Sequence, residues 1–303
     1  MKILIFVTLI SLASCWVNLP DEAKTAKSMD EHPTIQKILR EKNPELFNEN
    51  GEIIKKTPFI IGGSNATFGQ FPHQALLFTY VSETSVYLCG GSLIRYNWVL
   101  TAAHCVYIPF MKVAVYLGII DSYYGPAYWG ADVTSTDVKI HSGYNDNYLT
   151  NDIAMIYLRT ATESILNAYI GTIPLPKSHV NTNLDGRSSI VSGFGKTSDN
   201  STSSQFLKYV QLYITSNSVC EQVYGPNYVR DTNICVATTN TAATCSGDSG
   251  GPLTTVLDGT NYVVGIVSFG AAISCEMGYP AGFTRVTSFI GWIEDRFTLP
   301  PAF

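Results

Sequence analysis

The strongest constraint on the fold is a succession of short strand-like segments that begins near residue 60 and continues through most of the chain. Each segment is rich in Val, Ile, Tyr and Thr, and Gly, Asn, Asp or Pro interrupts the pattern about every ten residues. Such strands are typical of antiparallel sandwiches or barrels, because closing a sheet removes its exposed edges. The predicted strands include residues 74–81, 98–102, 112–118, 153–158, 189–193, 262–269 and 282–286. A half-buried helix is predicted from residue 288 until Pro300-Pro301 stops it.

The first 59 residues differ from the rest of the chain. Residues 1–15 carry one Lys, an apolar run and small residues at a plausible cleavage point, a pattern that predicts a signal peptide. A membrane anchor is disfavoured, because about 11 apolar residues cannot cross a bilayer that needs about 20. Residues 16–59 mix charges of both signs, contain no cysteine and include one predicted helix, over residues 34–42. This segment cannot build a core of its own.

The number of cysteines indicates the cellular compartment, and the net charge excludes some classes of partner. Loss of Cys15 with the signal peptide leaves an even number of cysteines in an exported chain, which predicts three disulfides. The cysteines are Cys89, Cys105, Cys220, Cys235, Cys245 and Cys275. Their pairing is open at this point, and the absence of a Cys-x-x-Cys pair disfavours zinc. A net charge of −5 without a Lys/Arg-rich block disfavours nucleic acid and anionic membranes as partners.

Three separated motifs carry the residue types of nucleophilic catalysis. They are Thr-Ala-Ala-His-Cys around His104, Asn-Asp-Ile-Ala around Asp152 and Gly-Asp-Ser-Gly-Gly-Pro around Ser249. A serine hydroxyl is a weak nucleophile and needs a base whose pKa lies near neutrality, which an imidazole provides. A carboxylate fixes the tautomer of that imidazole. Each residue alone also fits a structural role, but we interpret the three together as nucleophile (Ser249), base (His104) and orienting carboxylate (Asp152).

In these motifs, and in the order His, Asp, Ser, the chain resembles the trypsin and chymotrypsin family of serine proteases from about residue 60 to residue 293. The resemblance implies an all-β fold of two packed six-stranded antiparallel β-barrels with a C-terminal helix. It implies the disulfides Cys89–Cys105, Cys220–Cys235 and Cys245–Cys275, and an acyl-enzyme mechanism. The N–H groups of Gly247 and Ser249 would form the oxyanion hole, and no metal or organic cofactor is implied.

Specificity in this family depends on the residue six before the nucleophile, which is Ala243 here. An uncharged pocket disfavours Lys and Arg, since a substrate cation would lose its hydration there without compensation. The other predicted pocket residues are Thr244, Ser268, Phe269, Gly270 and Ala281. We expect cleavage after large apolar or aromatic residues. The alternatives are an elastase-like or collagenase-like specificity, and a catalytically silent homologue that binds partners through the same fold.

The resemblance also implies a proenzyme. Ile60-Ile61-Gly62-Gly63 matches the family's mature N-terminus, whose ammonium would pair with Asp248. Most relatives have Arg or Lys before this point, whereas this chain has Phe59, which the predicted pocket would accept. We therefore expect activation by a chymotrypsin-like enzyme, including this one; cleavage after Lys55 or Lys56 is the competing route.

The chain is accordingly divided into a signal peptide (1–15), a propeptide (16–59) and a protease domain (60–303). A cysteine-free propeptide has no covalent tether after cleavage. We expect a secreted monomer that acts on protein or peptide substrates and is controlled by protein inhibitors. Asn65 and Asn200 begin Asn-x-Thr acceptor sequences for glycosylation. His73, His141 and His179 lack catalytic companions in the sequence, and we interpret them as structural.

Overall fold

The fold is taken from a computed structural model that describes residues 26–28, 63–123, 128–198, 200–239, 242–270, 275 and 277–297. The predicted signal peptide, the predicted helix at residues 34–42, Phe59 and Ile60 lie outside the described residues. Those predictions therefore stay predictions.

The first half of the described chain forms a half-barrel sheet. Its strands are β3 (Gln74–Tyr80), β4 (Val86–Arg95), β5 (Trp98–Thr101), β6 (Lys112–Leu117), β7 (Trp129–Val133), β8 (Val138–Ile140) and β9 (Ala154–Tyr157). They lie in the order β7-β6-β3-β4-β5-β9-β8, and each neighbouring pair is antiparallel. A short strand from the N-terminal segment, β1 (Lys27–Ser28), pairs with β4 in parallel.

The second half forms a closed barrel of six antiparallel strands. They are β10 (Ser188–Gly193), β11 (Lys208–Thr215), β12 (Asn233–Ala237), β13 (Pro252–Leu257), β14 (Thr260–Phe269) and β15 (Ala281–Arg285). The order is β10-β13-β14-β15-β12-β11, and the pairing of β10 with β11 closes the circle. The short strand β2 (Ser64–Asn65) pairs with β11 outside the circle.

Side-chain burial explains why these segments form strands. Along β11, the buried Val210, Leu212 and Ile214 alternate with exposed residues, as expected when one face of a sheet covers a core. Strand β3 is buried along its whole length, because it has a core on each face. Leu77 points into the core of the half-barrel, and Leu76 belongs to a second apolar cluster on the opposite face.

Two α-helices complete the described structure. Helix α1 (Asn217–Tyr224) begins after Ser216, whose hydroxyl accepts a hydrogen bond from the Ser218 N–H as an N-cap. Helix α2 (Ile290–Phe297) continues a 3₁₀ turn over Val286–Phe289. The buried side chain of Ile293 packs in the core of the half-barrel, although α2 follows the second barrel in sequence.

The observed fold confirms the predicted all-β class, with the first barrel present as a half-barrel sheet. Each of the seven predicted strands is present with its ends displaced by two residues or fewer, and the C-terminal helix reaches residue 297. The seven strands named from the sequence do not include β1, β2, β4, β7, β8, β11, β12 or β13. In β4, Gly90 and Gly91 interrupt the apolar pattern. Three disulfides are present, and they have the pairing that the family resemblance implies. Among the described residues, no helix is long and apolar enough to cross a membrane.

Candidate active site

His104 and Asp152 are brought together by the pairing of β5 with β9. His104 lies in the 3₁₀ turn that follows β5, and Asp152 precedes β9; Thr101 of β5 pairs with Ala154 of β9. His104 Nδ1 lies 2.7 Å from Asp152 Oδ2, and the His104 backbone N–H donates to Oδ1 at 2.9 Å. The side chains are 3% and 0% exposed. The carboxylate therefore holds the imidazole in one orientation and keeps a proton on Nδ1.

The second barrel supplies two further contacts to Asp152. The Ser268 hydroxyl donates to Asp152 Oδ2 at 2.6 Å, and the Thr284 hydroxyl donates to the Asp152 carbonyl oxygen at 2.7 Å. Ser268 was predicted as a pocket residue, and no role was predicted for Thr284. A hydroxyl carries no sequence signal for a partner more than a hundred residues away, so only the packing of the two halves reveals these bonds.

The loop that presents Asp152 has unusual backbone geometry. Leu149 and Asn151 have φ values of 50° and 51°, in the left-handed region that non-glycine residues seldom occupy. The Asn151 side chain donates to the Gly143 carbonyl at 2.7 Å, which stabilises this conformation. Such strain often occurs at functional sites.

The segment that carries Ser249 packs directly against the segment that carries His104. The Ser249 carbonyl accepts from the Gly90 N–H at 2.8 Å and lies 3.6 Å from the sulfur of Cys105, the residue after His104. Gly250 has a φ of 78°, and a Cβ there would lie 2.3 Å from the Thr101 hydroxyl oxygen. Only glycine allows this approach. Ser249 therefore comes from the second barrel to the edge of the half-barrel where His104 lies, and its side chain is 8% exposed.

The backbone around Ser249 leaves two donors available. In the described part of the chain, the N–H groups of Asp248, Gly250 and Gly251 donate to backbone carbonyls, whereas those of Gly247 and Ser249 donate no backbone hydrogen bond. Buried N–H groups normally have partners. Two donors without a backbone acceptor, one on each side of Asp248, are what an oxyanion site requires.

Asp248 lies behind this loop. Its Oδ1 accepts from the Gly195 N–H at 2.9 Å and its Oδ2 from the Cys245 N–H at 3.0 Å. Asp248 also lines a small cleft together with residues that include Val191 and Ala243. The carboxylate is thus held in place by backbone donors next to a cavity.

Of the predicted pocket residues, Ala243 and Thr244 line that cleft. The others lie on or next to two strands of the closed barrel: Ser268 and Phe269 end β14, Gly270 follows it, and Ala281 begins β15. Ala243 and Ala281 are buried, Thr244 is half-buried, and Gly270 is exposed with open space where a side chain would begin. Phe269 lies across Gly282, where a Cβ would come within 2.2 Å of its ring.

Tyr224 also belongs to this region. Its ring meets the Phe269 ring edge-on at 5.3 Å, and its hydroxyl donates to the Pro280 carbonyl. Burial raises the pKa of Tyr224, so the hydroxyl stays protonated as a donor. No role was predicted for Tyr224, since an aromatic residue in a short helix carries no functional signal.

The trypsin family model matches residues 60–293. The chain belongs to the trypsin family of serine proteases. Brachyurin from Leptuca pugilator is 41% identical over 251 residues, covering 80% of this chain and 100% of the relative. Collagenase from Hypoderma lineatum is 38% identical over 238 residues, covering 78% and 86%. The solved structure titled HL collagenase has a TM-score of 0.70 at 34% identity and covers 79% of this chain and 99% of that one.

Family membership makes the chain a serine endopeptidase, a hydrolase that acts on protein substrates. The described residues include one group of possible metal ligands in this trypsin-family site, Cys89, His104 and Cys105. Both sulfurs belong to the Cys89–Cys105 disulfide and are not thiolates, so this group does not fit a metal.

The other histidines of the protease pack against aromatic rings. His73 meets Phe71, His141 meets Phe289, and His179 meets Tyr262, with ring centroids 6.3, 5.2 and 5.3 Å apart. Burial lowers the pKa of His73 to about 4. A histidine that is neutral and packed in this way fits the structural role that we predicted.

Proposed function

We propose that this trypsin-family endopeptidase uses Ser249 as nucleophile, His104 as general base and Asp152 as orienting carboxylate, and that it cleaves after large apolar residues. The observation that carries the assignment is the buried 2.7 Å contact between His104 Nδ1 and Asp152, next to the loop of Ser249. It supports all three roles, because the contact leaves His104 Nε2 as the atom that can accept a proton.

In this mechanism the Ser249 hydroxyl attacks the substrate carbonyl carbon while its proton moves to His104 Nε2. The new negative charge on the carbonyl oxygen is stabilised by the N–H groups of Gly247 and Ser249, each worth about 3 kcal/mol in comparable sites. His104 then gives the proton to the leaving amine, and the C–N bond breaks to leave an acyl-enzyme. Water, deprotonated by His104, hydrolyses the ester and frees Ser249. Asp152 stays ionised throughout and stabilises the imidazolium.

A serine-directed fluorophosphonate tests the nucleophile. We expect covalent labelling of the cleaved enzyme and no labelling of Ser249→Ala. Ser246→Ala, in the same loop, is the matched control and should retain labelling. Labelling that survives in Ser249→Ala contradicts the assignment, and an unlabelled enzyme supports the silent-homologue alternative.

The pocket supports cleavage after Phe, Tyr, Leu or Met. Ala243 and Ala281 are apolar and buried, and a substrate cation would find no charge to replace its hydration at either side chain. The open space at Gly270 leaves the entrance free for a large side chain. A second candidate is a collagenase-like specificity, because the relative from Hypoderma lineatum is named collagenase. Cleavage profiling on a peptide library, beside digestion of native collagen with Ser249→Ala as blank, separates the two.

The proposed activation has support from strand β2. Ser64 and Asn65 pair with Tyr209 and Lys208 of β11, and both β11 residues line the cleft that contains Asp248. Ile60 is four residues before Ser64, a reach of up to about 13 Å. An ammonium at Ile60 therefore has the reach to meet Asp248 in that cleft.

The activating protease is identified by expressing the proenzyme alone. We propose that Phe59 directs cleavage by the enzyme itself, so the wild type should mature at Ile60 and Ser249→Ala should not. N-terminal sequencing after adding trypsin reports the competing route through Lys55 or Lys56. Maturation of Ser249→Ala at Ile60 without added protease contradicts autoactivation.

We also propose that the protein is secreted and glycosylated. The three disulfides fit an oxidising compartment, and Asn65 and Asn200 are exposed. We expect a secreted monomer regulated by protein inhibitors. Removal of N-glycans by an amidase should lower the mass of the secreted protein, and Asn65→Gln and Asn200→Gln assign the loss to each site.

A further inference from the structure

Residues Ala26–Ser28 lie on the surface of the protease as an added strand, although they belong to the segment that precedes the protease domain. We propose that the cleaved N-terminal segment stays bound there without a covalent bond and inhibits the enzyme toward polypeptide substrates. The inference rests on the proposed cleavage before Ile60 and adds a regulator to that step.

The docking place is the edge of β4 at Tyr87 and Leu88, on the side opposite β3, where β1 is the strand that pairs. Strand β4 pairs with β3 from Val86 to Ser92, but its pairing with β5 begins only at Ser92. At Tyr87 and Leu88 the other edge takes β1, with Lys27 opposite Tyr87 and Ser28 opposite Leu88. An exposed edge captures an extended peptide through main-chain hydrogen bonds.

Side-chain burial adds selectivity to this backbone pairing. Ala26 is 8% exposed and packs in the apolar cluster that contains Leu88 and Phe78, whereas Lys27 is exposed. A small apolar side chain is therefore needed at position 26, and position 27 tolerates a polar one.

The docked strand lies close to the catalytic loop. The Leu88 side chain packs over Gly247, where a Cβ would come within 2.9 Å of Leu88 Cδ2. Two residues beyond Leu88, the Gly90 N–H donates to the Ser249 carbonyl. Because a strand rises about 3.3 Å per residue, β1 ends about 7 Å from Gly90, measured along β4. An extended substrate that crosses Ser249 on this side meets the docked segment, while a short substrate does not.

Cleavage changes the strength of this contact. In the intact chain the segment is covalently joined, so its effective concentration at β4 is higher than that of a separate peptide. After cleavage, residues 16–59 contain no cysteine to keep them attached. Binding then depends on concentration, and the specific activity of the cleaved mixture should rise on dilution.

The test uses cleaved, purified enzyme with Ile60 verified by sequencing, and a synthetic peptide of residues 16–59. We expect competitive inhibition of a long peptide substrate and much weaker inhibition of a single-residue ester. Ala26→Gln in the peptide should weaken inhibition about tenfold, equivalent to about 1.4 kcal/mol, because a polar side chain enters an apolar cluster. Lys27→Gln introduces the same side chain at the exposed position and should change the inhibition by less than about twofold.

Binding of the labelled peptide is followed separately by fluorescence anisotropy, which needs no catalytic activity. Enzyme that hydrolyses peptides but neither binds nor is inhibited by the segment overturns the inference, as does equal inhibition by the Ala26→Gln and Lys27→Gln peptides. Cleaved protein that binds the segment but hydrolyses no peptide and takes no fluorophosphonate contradicts the proposed function instead.

Discussion

Asp152 accepts hydrogen bonds from both halves of the molecule. His104 belongs to the half-barrel, while Ser268 and Thr284 belong to the closed barrel. A buried carboxylate is stable only when its oxygens are satisfied. The bonds from His104 and Ser268 satisfy the carboxylate oxygens, and the bond from Thr284 holds the backbone that carries them.

His73 makes the stability of the fold depend on pH. Burial lowers its pKa from 6.5 to about 4, and its Nε2 has no hydrogen-bond partner among the described residues. In the unfolded chain the His73 imidazole binds a proton below pH 6.5, whereas in the folded chain it binds one only below about pH 4. The free energy of unfolding should therefore fall as the pH drops through this window, by about 3 kcal/mol from this group.

His73→Leu removes this dependence. In a Ser249→Ala background, which prevents self-digestion, urea unfolding at pH 7 and pH 4 measures the loss of stability for both proteins. We expect the loss to be about 3 kcal/mol smaller in the His73→Leu variant. An unchanged loss contradicts the titration of His73.

Ala281 belongs to the wall of the proposed pocket. Replacing its methyl group with hydrogen in Ala281→Gly enlarges the site by about one carbon, so the ratio of kcat/KM for Tyr over Leu substrates should rise roughly tenfold. Ala237→Gly makes the same change at an exposed position of the neighbouring strand β12 and should not change the ratio of kcat/KM values. Paired Tyr and Leu peptides that differ only at the cleaved residue give the measurement.

At the scale of elements, helix α2 links the two halves, because it follows the closed barrel and packs on the half-barrel. Ile293 is fully buried in the half-barrel core. Ile293→Ala should lower the free energy of unfolding by about 2–5 kcal/mol through loss of contacts and a residual cavity. Thermal or urea unfolding of the inactive Ser249→Ala protein reports the change.

Gly291 on the same helix provides the control. It is exposed, with nothing within 4 Å of the place where a side chain would begin. Gly291→Ala should stabilise the protein by about 0.5–1 kcal/mol, since alanine loses less backbone entropy in a helix. Destabilisation by Gly291→Ala, or a negligible effect of Ile293→Ala, contradicts this account of α2.

At the scale of the whole molecule, the active site forms where the two halves meet. A hydrogen bond that crosses this boundary should therefore affect catalysis more than a hydrogen bond of the same length within one half. Thr284→Val removes the 2.7 Å hydrogen bond to the Asp152 carbonyl. Thr255→Val removes a 2.7 Å bond to the Ser188 carbonyl within the closed barrel. Both variants should lose about 1 kcal/mol of stability.

Only Thr284→Val should lower kcat, because only that bond holds the residue that orients His104. Steady-state kinetics with one peptide substrate, beside urea unfolding of both variants, measures the difference. Equal kcat values for the two variants show that the bond across the boundary has no part in positioning Asp152.

Much of the fold could be predicted from residues close together in sequence. The seven predicted strands and the C-terminal helix were found because alternation of apolar residues and turn residues are local signals. Strand β4 was one of eight strands not named from the sequence, and its two glycines lie where neighbouring segments pack closely against them. The segment at Ala26 has no local pattern that marks it as a docked strand.

By itself the sequence determined the all-β class, the family and the motifs that contain His104, Asp152 and Ser249, because these depend on residue types at short spacing. Only the tertiary structure decided that Ser268 and Thr284 hold Asp152, that Tyr224 packs on Phe269, and that β1 adds to β4. These contacts join residues far apart in the chain. They form only when separate elements of the chain pack together, which no local pattern encodes.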